Sequence, residues 1–214
     1  MQIVSSPASH LREPTQDRSR ESLRRVFEAT NHLLQEKIFD QMTVGEISAA
    51  SNVSVGSIYQ RFGSKNDLLW SLYEAYIDEA SERIRALLDQ ETDLDLETRI
   101  DYLTREVCSL FRKHRGTVKS LLLKYRHDPE LVPDLYIQRI EKAYKAAEKF
   151  LRQGCPSEVP TRRVRFAFSL LLTSCRERIL FADLSGVGST PRSDAAFVEY
   201  LTAALSGVLA GGIR

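Results

Sequence analysis

Between residues 54 and 62 the chain reads Ser-Val-Gly-Ser-Ile-Tyr-Gln-Arg-Phe, and three hydrogen-bonding side chains fall at Ser57, Gln60 and Arg61. Spacings of three and four put them on one face of a helix, and leave Ile58 and Phe62 to close a small core with Ile47 and Val53. A glutamine amide pairs with N6 and N7 of adenine, and an arginine guanidinium pairs with guanine or with phosphate. Ser54 can cap the helix so that its first amides suit a phosphate. Gly56 allows a close backbone approach, and Tyr59 supplies a hydroxyl on an aromatic stem. Thr43 and Lys65 begin helices of their own, where they could hold flanking phosphates; such contacts position a protein on a duplex without reading its sequence. The same face also has the composition of a solvated helix surface. Local charge does not separate the two, since between 43 and 65 only Arg61 and Lys65 stand against Glu46.

Catalytic chemistry finds no comparable set. His10, His32, His114 and His127 have neither metal-ligand spacing nor a Ser or Cys partner in a recognisable motif, and there is no phosphate loop or dinucleotide fingerprint. No catalytic residue, metal or cofactor is expected. The basic run Arg112-Lys113-His114-Arg115 reads as a helix end that complements the helix dipole.

These side chains need elements to hold them. Periodic apolar residues predict a helix from about Asp17 to near Lys37, through Leu23, Val26, Phe27, Thr30 and Leu34. Thr43 and Glu46 form a capping-box pattern that opens a short helix over 43–50. Asn52 suits the left-handed residue of a tight interhelical turn, Ser54 caps the next helix, and Gly63 stops it. Ser64 and Asp67 open a long helix whose apolar face runs through Leu68, Leu72, Tyr76, Ala80, Ile84 and Leu88. Further helices follow through 100–111, 118–125, 135–151, 161–183 and 194–210. No stretch alternates with period two for long enough to be a strand. The expected fold is all-α, with about nine helices and a loose arm over 1–15.

The chain has 214 residues, 30 Lys and Arg against 29 Asp and Glu, and a formal charge of +1. A near-neutral body cannot coat nucleic acid by counterion release alone, so any anion binding must be local. Three cysteines without CxxC spacing argue against a disulfide framework or zinc cluster, and the N-terminal residues lack the apolar run of a signal peptide. A reducing cytoplasm is the expected location.

The order of residues adds more than their faces do. Thr43-Val44-Gly45-Glu46-Ile47-Ser48-Ala49-Ala50-Ser51-Asn52-Val53-Ser54-Val55-Gly56-Ser57-Ile58-Tyr59-Gln60-Arg61-Phe62, followed by Ser64-Lys65-Asn66-Asp67-Leu68-Leu69, resembles the N-terminal domain of the TetR (tetracycline repressor) family. The resemblance covers about 20–80. Asn52 stands where that family usually has Gly, and Ile38-Phe39 where it often has Gly-Phe.

That resemblance implies a three-helix DNA-binding domain over 16–80, with the helix-turn-helix at 43–62, and an effector-binding and dimerisation domain over 81–214. Its DNA-facing residues would be Thr43, Ser54, Val55, Gly56, Ser57, Tyr59, Gln60, Arg61 and Lys65. The implied partners are double-stranded DNA carrying a palindromic operator, a second copy of the chain, and a small-molecule effector, with the chain acting as a repressor. The region that encloses an effector in such proteins here carries Trp70, Tyr73, Tyr76, Phe111, Tyr125, Phe150 and Phe168, an inventory that leans toward a lipophilic ligand and that is equally the makings of an ordinary core.

Helix 161–183 is apolar all round, which predicts contacts on both sides. Leu171, Cys175 and Ile179 form an apolar stripe on it, and Ala203, Gly207 and Gly211 a small-residue stripe on the last helix. Both are expected at a homodimer interface, the alternative being that they pack only within the subunit. The last helix is too short and glycine-broken for a membrane span. A competing function of another class is an effector-independent helical protein that organises DNA or binds a protein partner.

Overall fold

The computed structural model describes residues 17–89, 93–127, 134–181 and 193–210. They form nine α-helices and one 3-10 turn, with no strand among the described residues. The helices are α1 (Asp17–Leu33), α2 (Val44–Ser51), α3 (Val55–Phe62), α4 (Lys65–Asp89), α5 (Leu96–Lys113), α6 (Arg115–His127), α7 (Asp134–Arg152), α8 (Thr161–Phe181) and α9 (Asp194–Ala210), with the 3-10 turn at Phe39–Gln41. The expected all-α architecture is what the described residues adopt. The predicted arm over 1–15 lies outside the described residues, as does Gly211. No helix among the described residues is long and apolar enough to cross a membrane.

The chain divides into two compact units. The first gathers the described residues through Ala75 together with Gly116–His127, and the second comprises Tyr76–Arg115 and the described residues after His127. The sequence assigns all of 81–214 to one domain, whereas the structure groups α6 with the N-terminal helices.

In the first unit, Val26 and Thr30 of α1, Phe39 and Met42 of the following turn, Ile47 of α2, Ile58 and Phe62 of α3, and Leu68 and Leu69 of α4 are all buried. Each such apolar side chain contributes about 1.5–3 kcal/mol through removal from water. Phe27 stacks on Phe62 with ring centroids 6.1 Å apart, fixing α1 against the end of α3. Helix α1 closes at Leu33 rather than near Lys37, because the amides of Gln35, Glu36 and Lys37 bond back to His32 and Leu33 in successive turns. Helix α6 docks beside that end. The Thr117 hydroxyl donates to Asn31 Oδ1 (2.9 Å), and a side chain at Gly116 would collide with Leu34, since a Cβ there would stand 2.4 Å from Leu34 Cβ and 2.6 Å from its carbonyl oxygen.

In the second unit α5 packs against α7, α8 and α9, and α8 packs in turn against α7 and α9. Arg99 is almost wholly buried at the start of α5. Its guanidinium donates to the Leu94 carbonyl (3.0 Å), the Phe150 carbonyl (3.4 Å) and Gln153 Oε1 (3.0 Å) and lies over the Phe150 ring, so buried donors are satisfied while α5 is tied to the end of α7. At the far end of α5, Glu79 of α4 accepts from Lys113, His114 and Arg83. Burial opposes its charge, but these three donors outweigh it and bring its pKa down to about 2.

The stripe on α8 is corrected by this packing. Leu171, Cys175 and Ile179 are 0%, 3% and 6% exposed within the single subunit, because they face the chain's own helices. They are core residues, not interface residues. On α9, Ala203 and Gly207 are exposed, while Leu201, Leu205 and Leu209 turn inward.

Candidate DNA-reading helix

Local chemistry builds the α2–turn–α3 segment. Thr43 caps α2: the Glu46 N–H donates to Thr43 Oγ1 (3.2 Å), and the Thr43 N–H donates back to Glu46 Oε2 (2.7 Å). Lys37 completes the arrangement by pairing with the same carboxylate, and Lys37 and the two Thr43 donors together hold the Glu46 pKa down to about 2. Asn52 ends α2 at φ 53° and ψ 39°, the left-handed conformation the turn needs and that asparagine adopts more readily than most residues. Ser54 then caps α3, with the Ser57 N–H donating to Ser54 Oγ (3.1 Å). Gly63 closes α3 at φ +78°, and Ser64 and Asp67 bond reciprocally at the start of α4.

With Ile58 and Phe62 anchored in the core, the opposite face of α3 is fixed. Val55, Gly56, Ser57, Tyr59 and Gln60 are all exposed, Tyr59 to 46%. Val55 and Tyr59 thus present apolar surface beside the polar groups of Ser57 and Gln60 on one short helix. Val55 offers an apolar surface of the kind that meets a thymine methyl, and Gln60 an amide suited to adenine. A Cβ built on Gly56 would find no described atom within 4 Å, so the subunit's own packing does not call for glycine there. The Ser57 hydroxyl is shared with Ser54 Oγ at 2.8 Å, which orients it while leaving a lone pair for a further partner.

Arg61 is placed differently from the sequence expectation. Its guanidinium turns back to α1, where it donates to the Ser19 carbonyl (3.0 Å) and the Ser19 hydroxyl. This docks the start of α1 onto α3 and takes Arg61 off the reading face. Sequence reasoning also passed over Arg25, whose Nη1 donates to the Asn52 carbonyl (3.4 Å) and so braces the turn. Nothing in the local pattern signals either contact, because both partners are distant along the chain.

Thr43 precedes α2 and Lys65 opens α4, so they bracket the α2–turn–α3 segment along the chain. Lys65 Nζ lies 3.3 Å from the Asp40 carbonyl and 4.8 Å above the Phe39 ring, and partial burial lowers its pKa against the opposing pull of Asp40. The stem is thereby held in place while the ammonium keeps donors for a phosphate.

The aromatic residues expected near an effector are spread over several contacts. Trp70 meets Tyr73 in the first unit (6.5 Å between centroids). In the second, Tyr76 meets Phe111 edge-on (6.2 Å), Phe168 meets Tyr144 (4.9 Å), and Phe150 lies under Arg99. Trp70, Tyr76, Phe111, Phe150 and Phe168 are buried and Tyr73 is half-buried. The side chain of Tyr125 lies outside the described residues.

Comparison with known proteins agrees with this geometry. Residues 26–72 match the family described as bacterial regulatory proteins, tetR family. An uncharacterized HTH-type transcriptional regulator of Mycobacterium tuberculosis is 25% identical over 129 residues, which is 60% of this chain and 60% of the relative, and one from Mycobacterium bovis matches equally. The match thus spans about 60% of the length of these curated relatives. The fold is shared with a TetR-family transcriptional regulator from Mesorhizobium loti at a TM-score of 0.70, with 17% identity over 91% of this chain and 98% of that one. It is shared also with one from Streptomyces coelicolor (0.67; 16%; 89% and 81%) and with the fatty acid degradation regulator FadR from Bacillus halodurans (0.61; 17%; 94% and 99%).

Proposed function

We propose that this chain, a DNA-binding transcriptional regulator whose N-terminal domain is of the tetR family, works as a homodimeric repressor that a small lipophilic molecule releases from a palindromic operator. The family and the curated relatives are transcriptional regulators, not enzymes. The observation that carries the proposal is the exposed face of α3, where Val55, Gly56, Ser57, Tyr59 and Gln60 stand clear of the core on a helix capped at both ends.

Dimerisation follows from the smallness of that face. One two-turn helix with little positive charge offers too few contacts for a specific site, and two heads on a two-fold axis would read half-sites about 34–36 Å apart or a multiple of that. Support for the contact comes from α8 and α9. Phe166 and Tyr200 are 58% and 63% exposed, and along the outer side of α9 Ala203, Ala204 and Gly207 carry no charge. With Leu171, Cys175 and Ile179 in the core, the interface is assigned to these outward residues instead. An effector is supported by the aromatic inventory of the helices after α3, and by linkage it must lower operator affinity by the factor by which operator lowers its own.

Selection of palindromic duplexes by the full chain, followed by titration of two variants at several salt concentrations, tests the assignment. Gln60→Ala should lose about 1–3 kcal/mol of discrimination at one base position per half-site. Lys65→Ala should weaken all sequences together and flatten the salt dependence. Equal and uniform losses from both would overturn the division of roles. Absence of any selected duplex would overturn the operator reading, and operator affinity unchanged by every lipophilic compound that binds would favour an effector-independent organiser.

A further inference from the structure

Cys108 on α5 and Cys175 on α8 take no part in the candidate DNA-reading face, and the fold brings them together. Their sulfurs are 3.7 Å apart, although 67 positions separate them in the chain. A disulfide closes at about 2.05 Å, so bond formation must draw together two sulfurs that are already in contact.

The two thiols are not equivalent. Cys175 is buried, while Cys108 is half-buried and is the more exposed of the two. The two sulfurs share one S–H···S contact, and with the proton on Cys175 that contact favours the thiolate at Cys108 against the opposing effect of burial. The positive charges of Arg178 and Arg112 act in the same direction, offset by Asp194, which both arginines hold (2.6 Å and 2.9 Å). The same contact, with burial, holds Cys175 protonated. A more exposed thiol of lowered pKa beside a more sheltered one is the arrangement a dithiol needs to react stepwise with an oxidant. Cys155, by contrast, follows α7, is half-buried, and has its thiol pushed up by burial.

We propose that Cys108 and Cys175 form a hydroperoxide-reactive dithiol site, in which Cys108 attacks the peroxide and Cys175 resolves the product to an intramolecular disulfide. The Cys108 sulfur attacks the peroxide oxygen of ROOH, the O–O bond breaks, ROH leaves, and Cys108 becomes a sulfenic acid. The Cys175 sulfur then attacks the Cys108 sulfur, the S–O bond breaks, and the hydroxyl departs as water with the Cys175 proton. In sum two thiols are oxidised by two electrons, and one hydroperoxide is reduced to ROH and water. The bond joins α5, the helix against which α7, α8 and α9 all pack, to α8. This chemistry does not depend on the operator reading, and its test uses no DNA.

The reduced full chain is exposed to limiting hydrogen peroxide or cumene hydroperoxide, quenched with N-ethylmaleimide, digested and mapped by mass spectrometry. The expected product is one linked pair of peptides containing Cys108 and Cys175, two hydrogens lighter than the reduced pair, with Cys155 still alkylated. Cys108 should be consumed on the order of tenfold faster than Cys155. In Cys175→Ser, dimedone should trap a sulfenic acid at Cys108. In Cys108→Ser, Cys175 should remain alkylatable only after unfolding. Consumption of Cys155 as fast as the pair, or links that join different chains through Cys108 or Cys175, would overturn the proposal, and the wild-type map decides this even if a variant fails to fold.

Discussion

Gly56 on α3 and Gly207 on α9 lie in different units and share an unusual property. Each sits in an α-helix with ordinary backbone angles, and a Cβ added at either would meet no described atom within 4 Å. Glycine inside a helix costs about 1 kcal/mol relative to alanine, because it gives up more backbone freedom on folding. Gly116 at the start of α6 shows how a fold offsets that cost, since there the absent side chain is what lets α6 reach Leu34. Gly56 and Gly207 have no such internal explanation. The subunit's own packing accounts for Gly116 and not for Gly56 or Gly207; under the proposed function, these open positions are where the DNA backbone would approach α3 and a second copy would approach α9.

The largest effect should come from the glycine that the fold needs. In Gly116→Ala the new methyl meets both the side chain and the backbone of Leu34, and backbone cannot move aside as a flexible side-chain end can. A loss of about 3 kcal/mol is expected, read as a lower denaturant midpoint in urea unfolding. The Thr117 to Asn31 hydrogen bond should weaken with it, so Thr117→Val should cost less on the Gly116→Ala background than alone. An unchanged midpoint would remove the contrast on which the comparison rests.

Next in size is Gly207→Leu. Open space on the outside of α9 means the variant subunit should fold with its helical content intact, whereas a partner helix packed against it would be overfilled by about 1–3 kcal/mol. Sedimentation should show the wild type as a dimer and the variant shifted toward monomer, with palindrome binding reduced in step. A wild type that is monomeric at micromolar concentration, or a variant that dimerises normally, would leave Gly207 unexplained and break the pairing with Gly56.

How far the sequence revealed this arrangement depended on whether the deciding contact was local. Thr43 with Glu46, Asn52, Ser54, Gly63, and Ser64 with Asp67 act within four residues of themselves, and all were legible as caps and turns before any fold was known. Arg61 was not. Its helical position permits two directions for a long side chain, and the choice is made by Ser19, 42 positions away. The stripe of Leu171, Cys175 and Ile179 failed for a related reason: periodicity identifies a buried face but not whose atoms bury it. Tertiary packing settled that, and brought Cys175 to Cys108 by the same stroke. The docking role of Gly116 left no local trace, because nothing in residues 112–120 refers to Leu34.

The smallest effect is also the one that tests the comparison most directly, since it should carry opposite signs in two measurements. Gly56 stands in the first turn of α3, exposed, between the Ser54 cap and the buried Ile58. In the free protein Gly56→Ala removes conformational freedom from the unfolded chain and meets nothing in the folded one, so unfolding should become harder by about 0.4–1 kcal/mol. On DNA the added methyl would lie between the helix backbone and a closely approaching phosphate or sugar, so affinity should fall for selected and unrelated duplexes alike, the loss being one of positioning and not of base discrimination. Denaturant unfolding gives the first sign and anisotropy titration against both duplexes the second. Gly207→Ala supplies the control, with a similar gain in subunit stability and no change in contacts made by α3. If Gly56→Ala stabilises the protein and leaves DNA affinity untouched, nothing outside the subunit approaches α3 at that point, and the kinship between the two open glycines is lost.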